Sequence, residues 1–359
     1  MIETKKIIIT GTHTTPALEL IRQLKNDKNI DWKIYYIGRI YNSSLNDEPS
    51  IESKIIPQNA IRFYGILCGK FDRRWLPNTI SGLPQIFSGF KRAYQIVKEI
   101  KPQQIVSFGG YVSVPVVIAA WLQKIPSITH EQTHTLSLST RINALFCRYI
   151  ALSYPIKTDS DKYIVTGNLL RQEIFNKNSQ YFENKKLNLK KYPLIYLTAG
   201  NQGSHHLNLT LKKLLPNLTS KFTVIHQCGS KDLLAFRKLS KIFPNYFPQN
   251  YIESKDIGWI FHHSKIIISR AGANTIQEIA ALNQNSIVIP LLVSQQNEQI
   301  KNAAWLQKKL PKNTIIIKDS ELTPLSLEYS ISKLINVKRK KLLFTSSLNL
   351  KLLKLVKKL

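Results

Sequence analysis

Small residues recur at four points where β-branched runs end. These are Thr10-Gly11-Thr12-His13, Phe108-Gly109-Gly110-Tyr111, Ala199-Gly200-Asn201-Gln202-Gly203-Ser204 and Arg270-Ala271-Gly272-Ala273-Asn274-Thr275. Glycine lets backbone N–H groups approach a phosphate closely, and a helix opening just after the turn favours the anion through its dipole. One such turn is what many βα connections carry for steric reasons alone. Four, divided between two halves, point to a phosphate-bearing ligand. Neither GxGxxG nor GxxxxGK[ST] occurs, which disfavours nicotinamide enzymes and P-loop NTPases. His13 adds an imidazole that titrates near neutrality, although a lone histidine in such a loop can equally cap or pack. Glu278 can complement a helix dipole or bind a ligand, and Gln299 and Asn302 share one helical face. The pairs His205-His206 and His262-His263 are adjacent in sequence and point to different sides of a helix, so no metal site is expected.

Turns of this kind need strands before them and helices after them. Short β-branched runs alternate with amphipathic stretches, the pattern of βαβ units. Strands are expected at Lys6–Thr10, Lys33–Ile37, Gln104–Phe108, Ser127–Thr129 and Tyr149–Leu152. A second series follows at Leu194–Thr198, Phe222–His226, Lys265–Ser269, Ser286–Pro290 and Thr314–Ile317, with helices near Asn274–Leu282 and Asn297–Leu310. After the first strand, Thr15 reads as an N-cap, with Pro16 at the first helical position. The fold class is therefore α/β, with two doubly wound, Rossmann-like domains. The polar stretch after Gly167 puts their boundary there, giving domains 1–166 and 167–337 and a basic, leucine-rich helix candidate at 338–359.

The chain has 359 residues, with 51 Lys+Arg against 22 Asp+Glu, a formal net charge of +29. Length and the 43% hydrophobic content exclude a disordered chain and suit two cores. The charge suggests a polyanion, an anionic bilayer or a phosphorylated substrate, or it reflects a Lys-, Ile- and Asn-rich composition alone. Cys68, Cys147 and Cys228 stand far apart, which excludes a disulfide scaffold and a zinc module and suits a reducing compartment. The N-terminus lacks a signal peptide's apolar core, and no apolar run approaches the ~20 residues of a membrane-spanning helix.

Beyond these patterns, Phe108-Gly109-Gly110-Tyr111-Val112-Ser113-Val114-Pro115, Ile125-Pro126 and His130-Glu131-Gln132 closely resemble acceptor-side motifs of the MurG family. Thr166-Gly167-Asn168 with Arg171 is similar to its interdomain signature. Gly200-Asn201-Gln202-Gly203, His226-Gln227-Cys228-Gly229, Ser269–Thr275 with Glu278, and Asn297-Glu298-Gln299 with Asn302-Ala303 resemble its donor-domain motifs. The resemblance runs in family order over residues 6 to about 310. It implies a GT-B fold, two domains facing across a cleft, and inverting transfer of GlcNAc from UDP-GlcNAc to the C4 hydroxyl of lipid I. The product is lipid II, used in peptidoglycan synthesis. No cofactor or metal is implied, because a helix N-terminus and side chains stabilise the leaving UDP.

Carried over residue by residue, the resemblance makes His13 the candidate general base, with Glu131 as second candidate or as the group that orients the base. Glu278 would hold the ribose hydroxyls, and the backbone at Gly272 and Ala273, with Asn274 and Thr275, would face the UDP phosphates. Ile252 would read uracil through its backbone, Gln299 and Asn302 would bind the GlcNAc hydroxyls, and Arg171, Thr12, Asn201 and Gln202 complete the donor site. Gly11, Thr12, Gly109, Gly110, Tyr111, Ser113, His130 and Gln132 would contact the acceptor. Ile9 and Thr12 stand where the family has glycine, Thr133 where it has Asn, and Asn201 where it commonly has Ser. The tail helix would pack back on the N-terminal domain.

A polyprenyl acceptor stays in the bilayer, so peripheral binding to the cytoplasmic face of an anionic membrane is expected. The segment for it is Phe71–Pro77 with Trp75, followed by Ile80, Leu83, Ile86, Phe87 and Phe90 and ended by Lys91 and Arg92. A core helix with a basic edge is the other reading of that segment. Alternatives for the whole chain are a related GT-B enzyme with another lipid acceptor, a hydrolysing UDP-GlcNAc 2-epimerase, and a non-catalytic anion- or nucleic-acid-binding protein. No RRM, KH or helix-turn-helix signature is found, so no nucleic-acid partner is expected.

Overall fold

A strand buried on both faces reads as an unbroken apolar run, and Ile7, Ile8 and Ile9 are each fully buried. They lie in the central strand of the first of two units in the computed structural model. That model describes residues 2–43, 46–67, 83–185, 187–200, 203–292, 297–339 and 350–359. One unit comprises Met1–Arg171 with Ser346–Leu359, the other Gln172–Thr345.

The first unit is built on β1 (Glu3–Gly11), β2 (Ile30–Arg39), a small hairpin of β3 (Tyr41–Ser43) and β4 (Asn46–Pro49), and β5 (Arg62–Ile66). It continues with β6 (Gln104–Phe108), β7 (Ser127–Glu131), β8 (Tyr149–Leu152) and β9 (Tyr163–Val165). Leaving the hairpin aside, these form a parallel sheet in the order β5-β2-β1-β6-β7-β8-β9. Its helices are α1 (Thr14–Lys25), α2 (Ile51–Gln58), α3 (Leu83–Ile100), α4 (Ser113–Leu122) and α5 (Leu138–Phe146). Alternate residues of β1 serve opposite faces. Ile7 and Ile9 join Leu20 and Leu24 of α1, whereas Ile8 joins Ala93, Ile96 and Val97 of α3 and Val116 and Ala120 of α4. The helix Leu350–Lys358 returns to the first of these clusters through Leu352, Leu355 and Val356. Lys357 closes the contact with an ion pair to Asp27 at 2.8 Å.

The second unit repeats the plan with β10 (Leu194–Thr198), β11 (Thr223–Gln227), β12 (Tyr246–Gln249), β13 (Ser264–Ser269), β14 (Ser286–Val288) and β15 (Thr314–Ile316). The sheet order is β12-β11-β10-β13-β14-β15. Helices α6 (His205–Thr219), α7 (Leu233–Ser240), α8 (Ser254–His263), α9 (Ala273–Ala281), α10 (Glu298–Lys309) and α11 (Pro324–Leu334) complete it.

Both sheets are doubly wound, as the sequence pattern predicts. In such sheets the crevice for a ligand lies where the winding reverses, at the carboxyl ends of the strands. Here that point is between β1 and β6 in one unit and between β10 and β13 in the other. The four small-residue turns follow these four strands. Besides β3 and β4 of the hairpin, three strands escape the sequence reading, β5, β9 and β12, and each lies at an edge of one of the two large sheets. Edge strands are half-buried and tolerate polar residues and proline, as Pro248 in β12 illustrates. The expected N-cap is also corrected. Helix α1 starts at Thr14, and His13 occupies the cap position with no side-chain capping bond.

Candidate active site

In the first unit, the turn after β1 is held against the turn after β6. Gly11 has φ +134, and a Cβ there would lie 2.7 Å from the Phe108 carbonyl carbon, so only glycine fits. Tyr36, fully buried in β2, donates to the Gly11 carbonyl at 2.9 Å. The Thr12 N–H donates to the Gly109 carbonyl, and the Thr12 side chain fills the space a Cβ on Gly110 would take, 2.3 Å from its Oγ1. Thr12, standing where glycine was expected, thus packs against Gly110, and the two form one interlocked rim. Ser113 supports this rim from below, its N–H and hydroxyl both donating to the Gly110 carbonyl.

His13 stands half-buried over Gly109, whose missing side chain leaves room at the imidazole Nε2. Its Nδ1 lies 2.6 Å from the carboxamide of Gln132. Burial pushes the His13 pKa below the ordinary imidazole value, Glu131 opposes that shift, Arg39 reinforces it and Glu52 opposes it. The ring is therefore neutral at neutral pH, the state in which it can accept a proton.

Glu131 ends β7 and turns into the following loop. Its carboxylate accepts from the Thr133 N–H and hydroxyl and from the Ser137 N–H at 2.9 Å. Burial alone would raise its pKa, but these donors hold it below the usual carboxylate range. That environment suits an anchoring anion better than a base. His130 is buried and bonded to the Gly167 carbonyl at 3.0 Å, and burial lowers its pKa.

A feature without a signal in the motifs is the pair Arg39–Glu52. Arg39 ends β2, and its Nε lies 2.7 Å from the fully buried Glu52 carboxylate. Its guanidinium also stands 5.9 Å from the centre of the Tyr111 ring. Removing one partner of such a buried pair typically costs about 3–5 kcal/mol. Only the parallel register of β1 and β2 brings position 39 beside position 13's turn, so local spacing could not have revealed it.

In the second unit the crevice is built mainly from backbone. Gly272 is the N-cap of α9 with ordinary extended φ and ψ, and a Cβ there would meet nothing within 4 Å. The fold does not need glycine at 272; the close approach of a ligand would. The first turn of α9 has no acidic residue and no side-chain cap, so its N-terminal end is left open to an anion. Ala273, Asn274 and Thr275 form that turn, and Glu278 lies buried on the next. Arg270, almost fully buried, donates to Ser204 Oγ at 2.8 Å, to the Ile289 carbonyl and to Asp319 at 2.5 Å. It thereby ties the turn after β13 to the turn before α6. Sequence reasoning quoted Arg270 within a motif but gave it no role.

Asn302 is fully buried, and its Nδ2 donates to the Ala271 carbonyl at 3.0 Å, holding the same turn from α10. Gln299 accepts from the Leu291 N–H at 3.0 Å. Ile252 is buried in the loop between β12 and α8, and Arg171 is half-buried at the end of the first unit. Gly200, φ +82, is held by Thr198 Oγ1 and by the Gln227 amide. Asn201, Gln202, Cys68 and the segment Phe71–Pro77 with Ile80 lie outside the described residues. Among the described residues, no group of three or more His, Cys, Asp and Glu side chains could hold a metal ion.

The glycosyltransferase family 28 N-terminal domain matches residues 8–152, and the family's C-terminal domain matches residues 194–358. The UDP-N-acetylglucosamine--N-acetylmuramyl-(pentapeptide) pyrophosphoryl-undecaprenol N-acetylglucosamine transferase of Clostridium botulinum (strain Loch Maree / Type A3) is 34% identical over 331 residues, covering 89% of this chain and 87% of that one. The chain belongs to the MurG family within glycosyltransferase family 28. Among solved structures, MurG of Acinetobacter baumannii superposes with a TM-score of 0.66 at 23% identity, over 92% of this chain and 91% of that one. The UDP-GlcNAc 2-epimerase of Methanocaldococcus jannaschii superposes with a TM-score of 0.64 at 14% identity, over 99% of each. At such identities these two likenesses bear on the fold alone. The MurG family and the epimerases share the architecture, so sequence identity rather than shape separates them here.

Proposed function

We infer that the chain transfers GlcNAc from UDP-GlcNAc to the C4 hydroxyl of lipid I with inversion, giving lipid II and UDP. The observation that carries this reading is the division of labour between the two switch points. One holds a neutral half-buried imidazole beside a glycine rim; the other holds an uncapped helix N-terminus with a buried carboxylate on it. His13 Nε2 takes the proton of the acceptor hydroxyl as the oxygen–C1 bond forms and the C1–O bond to UDP breaks. The N-terminal turn of α9 receives the negative charge that develops on the departing diphosphate, and Glu278 holds the ribose. Glu131 anchors the loop that presents Gln132 and adds a negative field to the imidazolium that forms. Labelled UDP-GlcNAc with a lipid I analogue tests the reading directly. The expected product is the GlcNAc–MurNAc disaccharide in equal amount to UDP. UDP release with formation of free N-acetylmannosamine, and no disaccharide, would move the chain to the epimerases.

Reaching a membrane-resident acceptor requires a surface that binds the bilayer, and no described helix is long and apolar enough to cross a membrane. Helix α3 supports a peripheral reading. Phe87 is 70% exposed, Phe90 and Ile86 are half-buried, and Lys91 and Arg92 are exposed on the following turn. An apolar ring beside cations suits the headgroup boundary of an anionic leaflet. The βαβ order starts α3 at the carboxyl edge of its sheet, the same edge that carries the acceptor-side turns.

A further inference from the structure

The general base proposed above works only in one of its two neutral forms, and the chain has to choose between them. A neutral imidazole carries one proton, and whichever nitrogen holds it cannot accept another. Nε2 has the open side. It faces the position of the absent Gly109 side chain, where a Cβ would stand 3.7 Å away, and it has no hydrogen-bond partner among the described residues. Nδ1 faces inward, 2.6 Å from the Gln132 amide nitrogen Nε2, a position that a half-turn of the carboxamide gives to Oε1.

A carboxamide presents oxygen or nitrogen from the same volume, so this contact admits two proton arrangements. With nitrogen toward Nδ1, the ring proton sits on Nε2 and the acceptor hydroxyl meets a donor rather than a base. The outer amide atom is buried without a partner in either arrangement, so the choice is made at Nδ1. With oxygen toward Nδ1, the N–H of Nδ1 is satisfied and the lone pair of Nε2 points to the open side. We propose that Gln132 is the positioning residue for His13, accepting the Nδ1 proton on Oε1 and so reserving the Nε2 lone pair for the acceptor hydroxyl. This rests on the reading of His13 as base.

Gln132 is placed for the task. It is 7% exposed and follows the last residue of β7, and the next loop is fixed by the bonds from Thr133 and Ser137 to the Glu131 carboxylate. Glu131 cannot do it, because its two oxygens already serve that loop. An amide also differs from the carboxylate of a Ser-His-Asp triad. It fixes the tautomer while stabilising the imidazolium less than a carboxylate would, and burial keeps the base weakly basic. The other charged or titratable groups facing the ring are Glu131, Glu52, Arg39 and His130.

The test compares Gln132→Met, which keeps the volume and removes the acceptor, with Gln132→Glu, which can only accept. In Gln132→Met, kcat should fall about 10²-fold, at the low end of what general-base catalysis contributes, with KM for both substrates nearly unchanged. Gln132→Glu should restore most of kcat and move the acid limb of the pH–rate profile upward, because a carboxylate stabilises the imidazolium. Nitrogen-15 shifts of His13 in the wild-type protein with UDP should report Nδ1–H in the neutral ring. Wild-type kcat in Gln132→Met, or an Nε2–H signal in the wild-type protein, overturns the proposal whether or not either variant folds well. The two readings fail separately. Full activity in His13→Ala removes the base itself, whereas an inactive His13→Ala beside a fully active Gln132→Met removes only the role of Gln132.

Discussion

The two switch points share a topology and differ in what fills them. Around the turn after β1, titratable and charged side chains crowd together: His13, His130, Glu131, Arg39 and Glu52. Around the turn after β13 the working surface is backbone, an uncapped helix start behind Gly272, with Arg270 and Asn302 bonded inward to hold its shape. The difference follows from the two tasks. Moving a proton needs a group whose charge changes near neutral pH, and only side chains supply one. Binding a diphosphate that leaves as an anion needs fixed positive potential, which peptide dipoles provide at any pH. Protonation-dependent chemistry should therefore reside in the first unit, and pH-independent donor binding in the second.

The largest expected effect divides these tasks most cleanly. His13→Ala should lower kcat by about 10²–10⁴-fold while calorimetric UDP affinity stays at the wild-type value. Because burial depresses the His13 pKa, the wild-type rate should hold through neutrality and fall only below the ordinary imidazole range. Near-normal turnover in this variant would erase the contrast between the units. The complementary change is Glu278→Ala. Losing hydrogen bonds to a carboxylate of about 1.5–3 kcal/mol should weaken UDP binding about 10–150-fold, equally with and without EDTA. Unchanged affinity would take the ribose role from Glu278.

A third measurement asks whether the second unit contains pH-sensitive stability of its own. His226 is fully buried between the Tyr246 hydroxyl and the Asn208 amide, and Asn208 also donates to the Cys228 carbonyl beside the Gly203 turn. Burial lowers the His226 pKa from 6.5 to about 3. In that window the unfolded chain binds a proton the folded chain does not. Stability is therefore full above the unfolded value and falls as the pH drops, by at most about 1.4 kcal/mol per pH unit. Denaturant unfolding of His226→Gln should show a shallower pH slope than the wild type between about pH 4 and 6. Identical slopes would remove His226 from the linkage. The smallest effect belongs to the membrane surface. Phe87→Ser with Phe90→Ser should reduce binding to anionic vesicles a few-fold, from about 1.5–3 kcal/mol per fully buried ring discounted for partial insertion, and leave UDP affinity unchanged. Vesicle binding equal to wild type in low and high salt alike would place the contact elsewhere.

The primary structure was sufficient for the doubly wound pattern, because central parallel strands are buried on both faces and so appear as apolar runs such as Ile7-Ile8-Ile9. It also located the four turns, since glycine at positive φ or under close approach leaves a mark no other residue can leave. Edge strands β5, β9 and β12 left no such mark, for half-buried strands mix polar and apolar residues. The pairing of Gln132 with His13 and of Arg39 with Glu52 was decided only by tertiary packing, which joins two loops at one sheet edge in the first case and a strand end with helix α2 in the second, across 119 and 13 residues of sequence. The same holds for the inward bonds of Asn302 and Arg270, where a polar side chain's partner is fixed by packing. Residue type determines what chemistry a side chain can do; the neighbour that packing brings to it determines its proton, its charge and the direction it faces.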